Sequence, residues 1–214
     1  MSDHSTHDDR RLPTDTADGL LLIISGPSGV GKTTITRGVE RSIADSVFSV
    51  SVTTRAQTDA DVEGVDYHFA SDAEFDRLIE QGQLLEWANV FGKRYGTPKK
   101  WVFEQLRRGR LVIVEIDVDG ALQVKAAMPD AFAVFVLPPS EDVLLERLRH
   151  RKRESEEAIT RRFAEAKREI ATARESGVYD LFVVNDDLDR AICEAVRAVQ
   201  ARRTGTGRTD RGSV

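Results

Sequence analysis

Residues Gly26-Pro27-Ser28-Gly29-Val30-Gly31-Lys32-Thr33 fit the pattern GxxxxGK[ST] in full. Glycines let the backbone bend until successive N–H groups converge on phosphate oxygens, and the following helix adds its dipole. Lys32 is expected to reach the β- and γ-phosphates of a nucleoside triphosphate, and the Thr33 hydroxyl to ligate Mg²⁺. The cradle is assigned to Gly26, Ser28, Gly29, Val30, Gly31, Lys32, Thr33 and Thr34. The P-loop alone does not separate kinases, GTPases, motor ATPases and transport ATPases; together with the features below, the expected chemistry is transfer of a γ-phosphoryl group, with ATP and Mg²⁺, to a small acceptor.

Two other clusters bear on the same chemistry. Val112–Asp117 is an apolar run ending in the carboxylates Glu115 and Asp117. Acids at such a strand end either support Mg²⁺ or cap the next helix, and the run alone leaves both open. Arg147, Arg151, Arg161 and Arg162 flank Lys152–Glu157, a polar stretch with no apolar anchor. Arginines on a mobile lid can close over transferring phosphates and exclude water.

The elements that must position these residues alternate in kind. Leu20–Ser25 is a continuous apolar run, as in a strand buried on both faces. Helices are predicted at about 32–44, 72–80, 98–109, 119–127, 140–175 and 187–203. Strands are predicted at 48–54, 67–70, 84–91, near 95, and at 111–116, 131–137 and 181–184. Strands separated by helices imply a parallel sheet with right-handed crossovers. The fold class is therefore α/β: a P-loop three-layer α/β/α sheet with a β-rich insertion and a helical lid. The domain is placed at 19–203, with its core at 19–50 and 98–203, the insertion at about 51–97 and the lid at about 147–162. Residues 1–18 and 204–214 lack apolar periodicity and are expected to be disordered tails.

Composition narrows the class. The chain has 214 residues, 31 Lys and Arg against 36 Asp and Glu, and a net charge of −5. A general nucleic-acid binder is usually basic, so none is expected as a partner. No apolar run approaches the roughly 20 residues of a membrane span, and the polar N-terminus is no signal peptide, so the expectation is cytoplasmic. Cys193 has no second cysteine to pair with and reads as a packing residue. Two tail histidines, His4 and His7, do not make a metal site. Trp87 and Trp101 read as core. No guanine-binding NKxD motif of the GTPase kind is present.

Across residues 19–203 the chain resembles the bacterial-type guanylate kinases. The resemblance rests on GPSGVGKTT at 26–34, SVTTR at 51–55, GVDYHF at 64–69, LLEWANVFGKRYGTP at 84–98, EIDVDGALQVK at 115–125, VFVLPPS at 134–140, the arginine lid, and VVNDD at 183–187. It implies that ATP phosphorylates GMP to GDP, with dGMP as a further acceptor, in purine nucleotide metabolism. It also implies that Ser51, Glu86 and Asp117 hold guanine, with Thr97 beside it. Arg55, Tyr67 and Tyr95 match positions that hold the GMP phosphate. Lys32, Arg151 and Arg162 match the catalytic cations, and Asn185 a residue near adenine. Guanine carries N1–H and an amino group side by side, and a carboxylate such as Glu86 can accept from both.

The sequence departs from the family pattern in two places. Residues 57–61 are Gln-Thr-Asp-Ala-Asp where the family has Pro-Arg-Pro-Gly-Glu, so Thr58 replaces a second phosphate-binding arginine. The family's Asp-Ile-Asp is Glu115-Ile116-Asp117. A related kinase for another phosphorylated nucleotide or sugar is the alternative the first change supports. A non-catalytic binding module is a second alternative, against which the complete P-loop counts. Monomer and homodimer are both open.

Overall fold

Leu20–Ser25 forms β1, the middle strand of a parallel sheet, and its consecutive side chains go to opposite faces. Leu21 and Ile23 enter one apolar cluster, Leu22 and Ile24 the other. Helices cover both faces, so the strand is apolar without alternation. The molecule is known from a computed structural model that describes residues 19–90, 92–150 and 155–205. The N-terminal tail with His4 and His7, the lid stretch 151–154 with Arg151, and residues 206–214 lie outside the described residues.

In chain order the remaining elements begin with α1 (Lys32–Ser42), β2 (Ser46–Phe48), β3 (Val52–Thr53), β4 (His68–Phe69), α2 (Asp72–Glu80), β5 (Leu84–Val90) and β6 (Lys93–Pro98). They continue with α3 (Lys99–Arg107), β7 (Leu111–Glu115), α4 (Val118–Ala127), β8 (Phe132–Leu137), α5 (Glu141–His150), α6 (Glu156–Ser176), β9 (Leu181–Val184) and α7 (Leu188–Arg203). The large sheet has the order β2-β7-β1-β8-β9, with every pairing parallel. On one face, α1 and α7 contribute Ile35, Val39, Ala191, Ala195 and Val199 to the core. On the other, α3, α4 and α6 contribute Val102, Ala121, Val124 and Ala173. This is the three-layer α/β/α arrangement.

A second sheet, β4-β3-β6-β5, is built entirely between residues 52 and 98. The single strand predicted at 48–54 is in fact two. Phe48 ends β2 in the large sheet and Val52 starts β3 in the small one, so the chain changes sheets at Ser49–Ser51. The helix predicted over 140–175 is also two, α5 and α6, which pack together through Leu144, Leu148, Ile159 and Ala166.

Two packing expectations are corrected. Cys193 is exposed, because α7 buries Ala191, Ala195 and Val199, and Cys193 points away from that stripe. Trp87 is 39% exposed, because strand alternation turns it outward between buried Glu86 and Ala88. Among the described residues, no helix is long and apolar enough to cross a membrane.

Candidate active site

The loop after β1 winds through three left-handed glycines before α1 begins. Gly26, Gly29 and Gly31 have φ of 146°, 87° and 95°. A Cβ on Gly26 would lie 2.5 Å from the Val136 carbonyl oxygen, and one on Gly31 2.5 Å from Asn185 Nδ2. Both glycines are thus required twice, by conformation and by space. The loop is braced from behind. Asn185 Nδ2 donates to Val30 O at 2.8 Å, and Arg147 donates to Val30 O at 3.4 Å and Asn185 O at 3.0 Å. Lys32 Nζ donates to Gly26 O at 2.6 Å and Pro27 O at 3.1 Å, which folds the ammonium back over the cradle.

Thr33 stands at the sheet's carboxyl edge. Its Oγ1 donates to Glu115 Oε1 at 2.8 Å, and Glu115 ends β7 beside β1. At the end of the same run, Asp117 takes the capping role. It caps α4, accepting from the Gly120 N–H at 2.8 Å, and it also faces the cleft.

A cleft of about 490 Å³ runs from this loop to the second sheet. The P-loop residues Gly26, Ser28, Gly29, Gly31, Lys32, Thr33 and Thr34 line one end. Ser51, Tyr67, Glu86, Tyr95 and Asp117 line the other, and Arg162 comes in from α6. Glu86 is only 4% exposed, and its Oε1 accepts from Thr97 Oγ1 at 2.6 Å. Burial pushes its carboxyl up to about 7; Thr97's hydrogen bond opposes the shift and nearby Asp117 adds to it. Burial also raises the Asp117 carboxyl, against the hydrogen bond from Gly120. Tyr67 and Tyr95 meet edge to face with ring centroids 5.7 Å apart.

Four of the predicted residues lie away from the cleft wall. Val30 is fully buried beneath the loop, and Asn185 braces it from the same side. Thr97 stands behind Glu86. Arg55 is turned to Asp61, donating from Nη2 to Oδ1 at 2.7 Å and from Nη1 to Oδ2 at 2.9 Å. Its guanidinium also stacks 5.1 Å from the Tyr67 ring centroid. Thr58 completes this clasp through its N–H and its hydroxyl, both donating to Asp61 Oδ2, at 2.8 and 2.6 Å. The Arg55 fork holds the Asp61 carboxyl well below the usual range.

Sequence reasoning missed Glu165 and Glu169, which line the cleft from the same helix as Arg162. Burial pushes Glu169 up to about 7, with Lys32 opposing. The spacing 162, 165/166, 169 is one helical face, and this was the available signal. Arg162 Nη2 donates to Ser28 Oγ, which ties α6 to the P-loop.

A glycine-rich loop with Lys32 folded over it, a hydroxyl and carboxylate at its mouth, and a buried carboxylate across one cleft fit a kinase with a selective acceptor pocket. Comparison with known proteins agrees. The guanylate kinase family model matches residues 19–202. The chain is 46% identical over 190 residues to guanylate kinase from Symbiobacterium thermophilum, covering 89% of each. It is 47% identical over 194 residues to guanylate kinase from Anaeromyxobacter dehalogenans, covering 90% of this chain and 83% of that one. The crystal structure of guanylate kinase from Anaplasma phagocytophilum superposes with a TM-score of 0.73 at 31% identity, covering 89% of each chain. The chain belongs to the guanylate kinase family.

Proposed function

We propose that this protein transfers the γ-phosphoryl group of ATP to GMP, giving GDP and ADP, and accepts dGMP as well. The observation that carries this is Glu86, a buried carboxylate in the same cleft as Lys32. Guanine's N1–H and 2-amino group are two adjacent donors for one carboxylate. Adenine has no N1–H and would leave Glu86 buried and poorly satisfied, which rejects it strongly. Ser51 and Asp117 complete the guanine pocket in this reading, and Thr97 holds the Glu86 carboxylate from behind. Tyr67, Tyr95 and Arg55 serve the GMP phosphate, with Arg55 donating either from N–H groups that Asp61 leaves or after the clasp opens. A related kinase for another acceptor is not favoured, because the guanine positions are all filled. A binding-only module is not favoured, because the P-loop is complete.

The acceptor is a phosphate monoester with a second pKa of about 6, so at pH 7 its oxygen is largely ionised and no strong base is required. Catalysis is positioning and charge neutralisation. Lys32 neutralises the transferring group, with Arg162 and Arg151 closing from the lid at about 147–162. The second sheet, as the insertion at about 51–97, brings the acceptor in, and closure keeps water from the transferring group. The oxygens of Thr33 and Glu115 suit Mg²⁺, which takes few protein ligands and otherwise waters and phosphate. When bound, Mg²⁺ supplies charge neutralisation across the phosphates. The setting is cytoplasmic purine nucleotide metabolism. The test is ADP release with GMP, dGMP, AMP, UMP and sugar phosphates. GMP and dGMP should be turned over efficiently; preference for any other acceptor refutes the proposal.

A further inference from the structure

Glu86 belongs to β5 of the second sheet and Asp117 to the turn that leads from β7 into α4, and both meet at α4. Gly120, three residues into that helix, donates its N–H to Asp117 Oδ1 at 2.8 Å. A Cβ on Gly120 would stand 2.6 Å from Glu86 Oε2, 3.2 Å from Glu86 Cδ and 3.2 Å from Asp117 Oδ1. The backbone does not explain this glycine. It lies in a regular helix and is not among the positive-φ glycines, at a place where alanine is the more stable residue. Space is the remaining physical reason, and the space is filled by the Glu86 carboxylate.

One turn on, Gln123 reaches the backbone of Trp87, the residue after Glu86. Its Oε1 accepts from the Trp87 N–H at 3.2 Å, and its Nε2 donates to Trp87 O at 2.8 Å. β5 is the last strand of the second sheet, so the Gln123 amide takes the place of a neighbouring strand there. Nε2 also donates to Asp119 O at 3.3 Å, which holds the amide against its own helix.

We propose that Gly120 and Gln123 are positioning residues for base recognition. Gln123 docks β5 on α4, and the bare Gly120 Cα lets the Glu86 carboxylate stand beside Asp117 at the edge where guanine's donors arrive. The inference rests on GMP being the acceptor. Any side chain at 120 displaces Oε2 and spoils the two-donor match, while the phosphate cradle at the far end of the cleft is untouched.

The experiment compares wild type, Gly120→Ala and Gln123→Ala for melting temperature and for kcat and KM with GMP, IMP and ATP. IMP keeps N1–H and lacks the 2-amino group, so the GMP/IMP ratio of kcat/KM reads the geometry of Glu86. Gly120→Ala should raise KM for GMP about 10-fold or more and lower the GMP/IMP ratio by a similar factor. KM for ATP should stay within about twofold, and any fall in melting temperature should be small, since the helical gain from alanine offsets part of the cost of displacing Oε2. Gln123 is exposed, so Gln123→Ala retains the fold and should show the same pattern at smaller size, even if Gly120→Ala does not fold. A GMP-selective wild type whose ratio is unchanged in these variants, or an equal loss for GMP and ATP, overturns the inference alone. A wild type that does not turn over GMP overturns the proposed activity and this inference with it.

Discussion

Lowering the pH should weaken GMP binding through Glu86 before it affects the ATP site. Burial raises this carboxyl from 4.5 to about 7 in the free protein. Only the ionised form accepts from both guanine donors. A group titrating near 7 is about nine-tenths ionised at pH 8 and about one-tenth at pH 6, so the apparent dissociation constant for GMP should rise about tenfold between them. The GMP phosphate titrates with a pKa of about 6 and adds its own slope. Glu169 also lies near 7 in the same cleft. Glu86→Gln keeps both of those groups, so the difference between wild type and variant isolates Glu86. Stability moves the other way. A raised folded-state pKa means that the folded protein holds the proton more tightly than the unfolded chain. Stability from this group is therefore present below about 4.5 and is lost as pH rises through about 7. The shift corresponds to about 3 kcal/mol at most. At pH 8, unliganded Glu86→Gln should melt above wild type by an amount approaching that figure, and near pH 4.5 the two should coincide. Titrations of GMP at pH 8, 7 and 6, with thermal melts at each pH, make the test. GMP affinity that is flat across this range, or an equal slope in Glu86→Gln, would refute the reasoning.

Three further outcomes are expected. Lys32→Ala should lower turnover by at least a hundredfold while the melting temperature stays near wild type, since its charge is needed at the phosphates; near-normal turnover in a steady-state assay would contradict the P-loop role. Arg162→Ala and Arg151→Ala should reduce kcat much more than GMP affinity, because charge builds on the transferring group; lost affinity at normal kcat would place these side chains elsewhere. Thr58→Arg should tighten GMP by about 10-fold at low salt and less at high salt, a charge-assisted bond being worth roughly 1.5–3 kcal/mol. Asp61 already occupies the Arg55 fork, so a new cation beside it either contacts the phosphate or frees Arg55 to do so; unchanged affinity at both ionic strengths would count against this.

What the sequence made legible follows from short-range rules. The P-loop pattern sets its own strand, glycine turns and helix, and the apolar runs at Leu20–Ser25 and Leu111–Glu115 mark strands covered on both faces. What escaped depends on contacts between distant residues. Nothing local announces that the chain changes sheets between Phe48 and Val52. The Arg55 fork closes on Asp61, six residues away across a loop whose path no periodicity fixes. Asn185 turns under the P-loop because Val30 O needs a donor, a demand 155 residues away. Glu169 was readable in principle, since it shares a helical face with Arg162, but charged side chains on a helix usually face water. Gly120 could be read only as a glycine in a helix, until Glu86 was seen to fill its space.

The central claim, that a buried glutamate makes this a GMP kinase, is tested most directly by the ratio of kcat/KM for GMP over AMP in wild type and in Glu86→Gln. A polar pocket that leaves its carboxylate unsatisfied with the wrong base discriminates by about 10⁴. The expected result is a wild-type ratio of that order that falls by at least about a hundredfold in Glu86→Gln, with KM for ATP unchanged. Comparable use of AMP by the wild type, or a ratio that survives the substitution, would contradict the account.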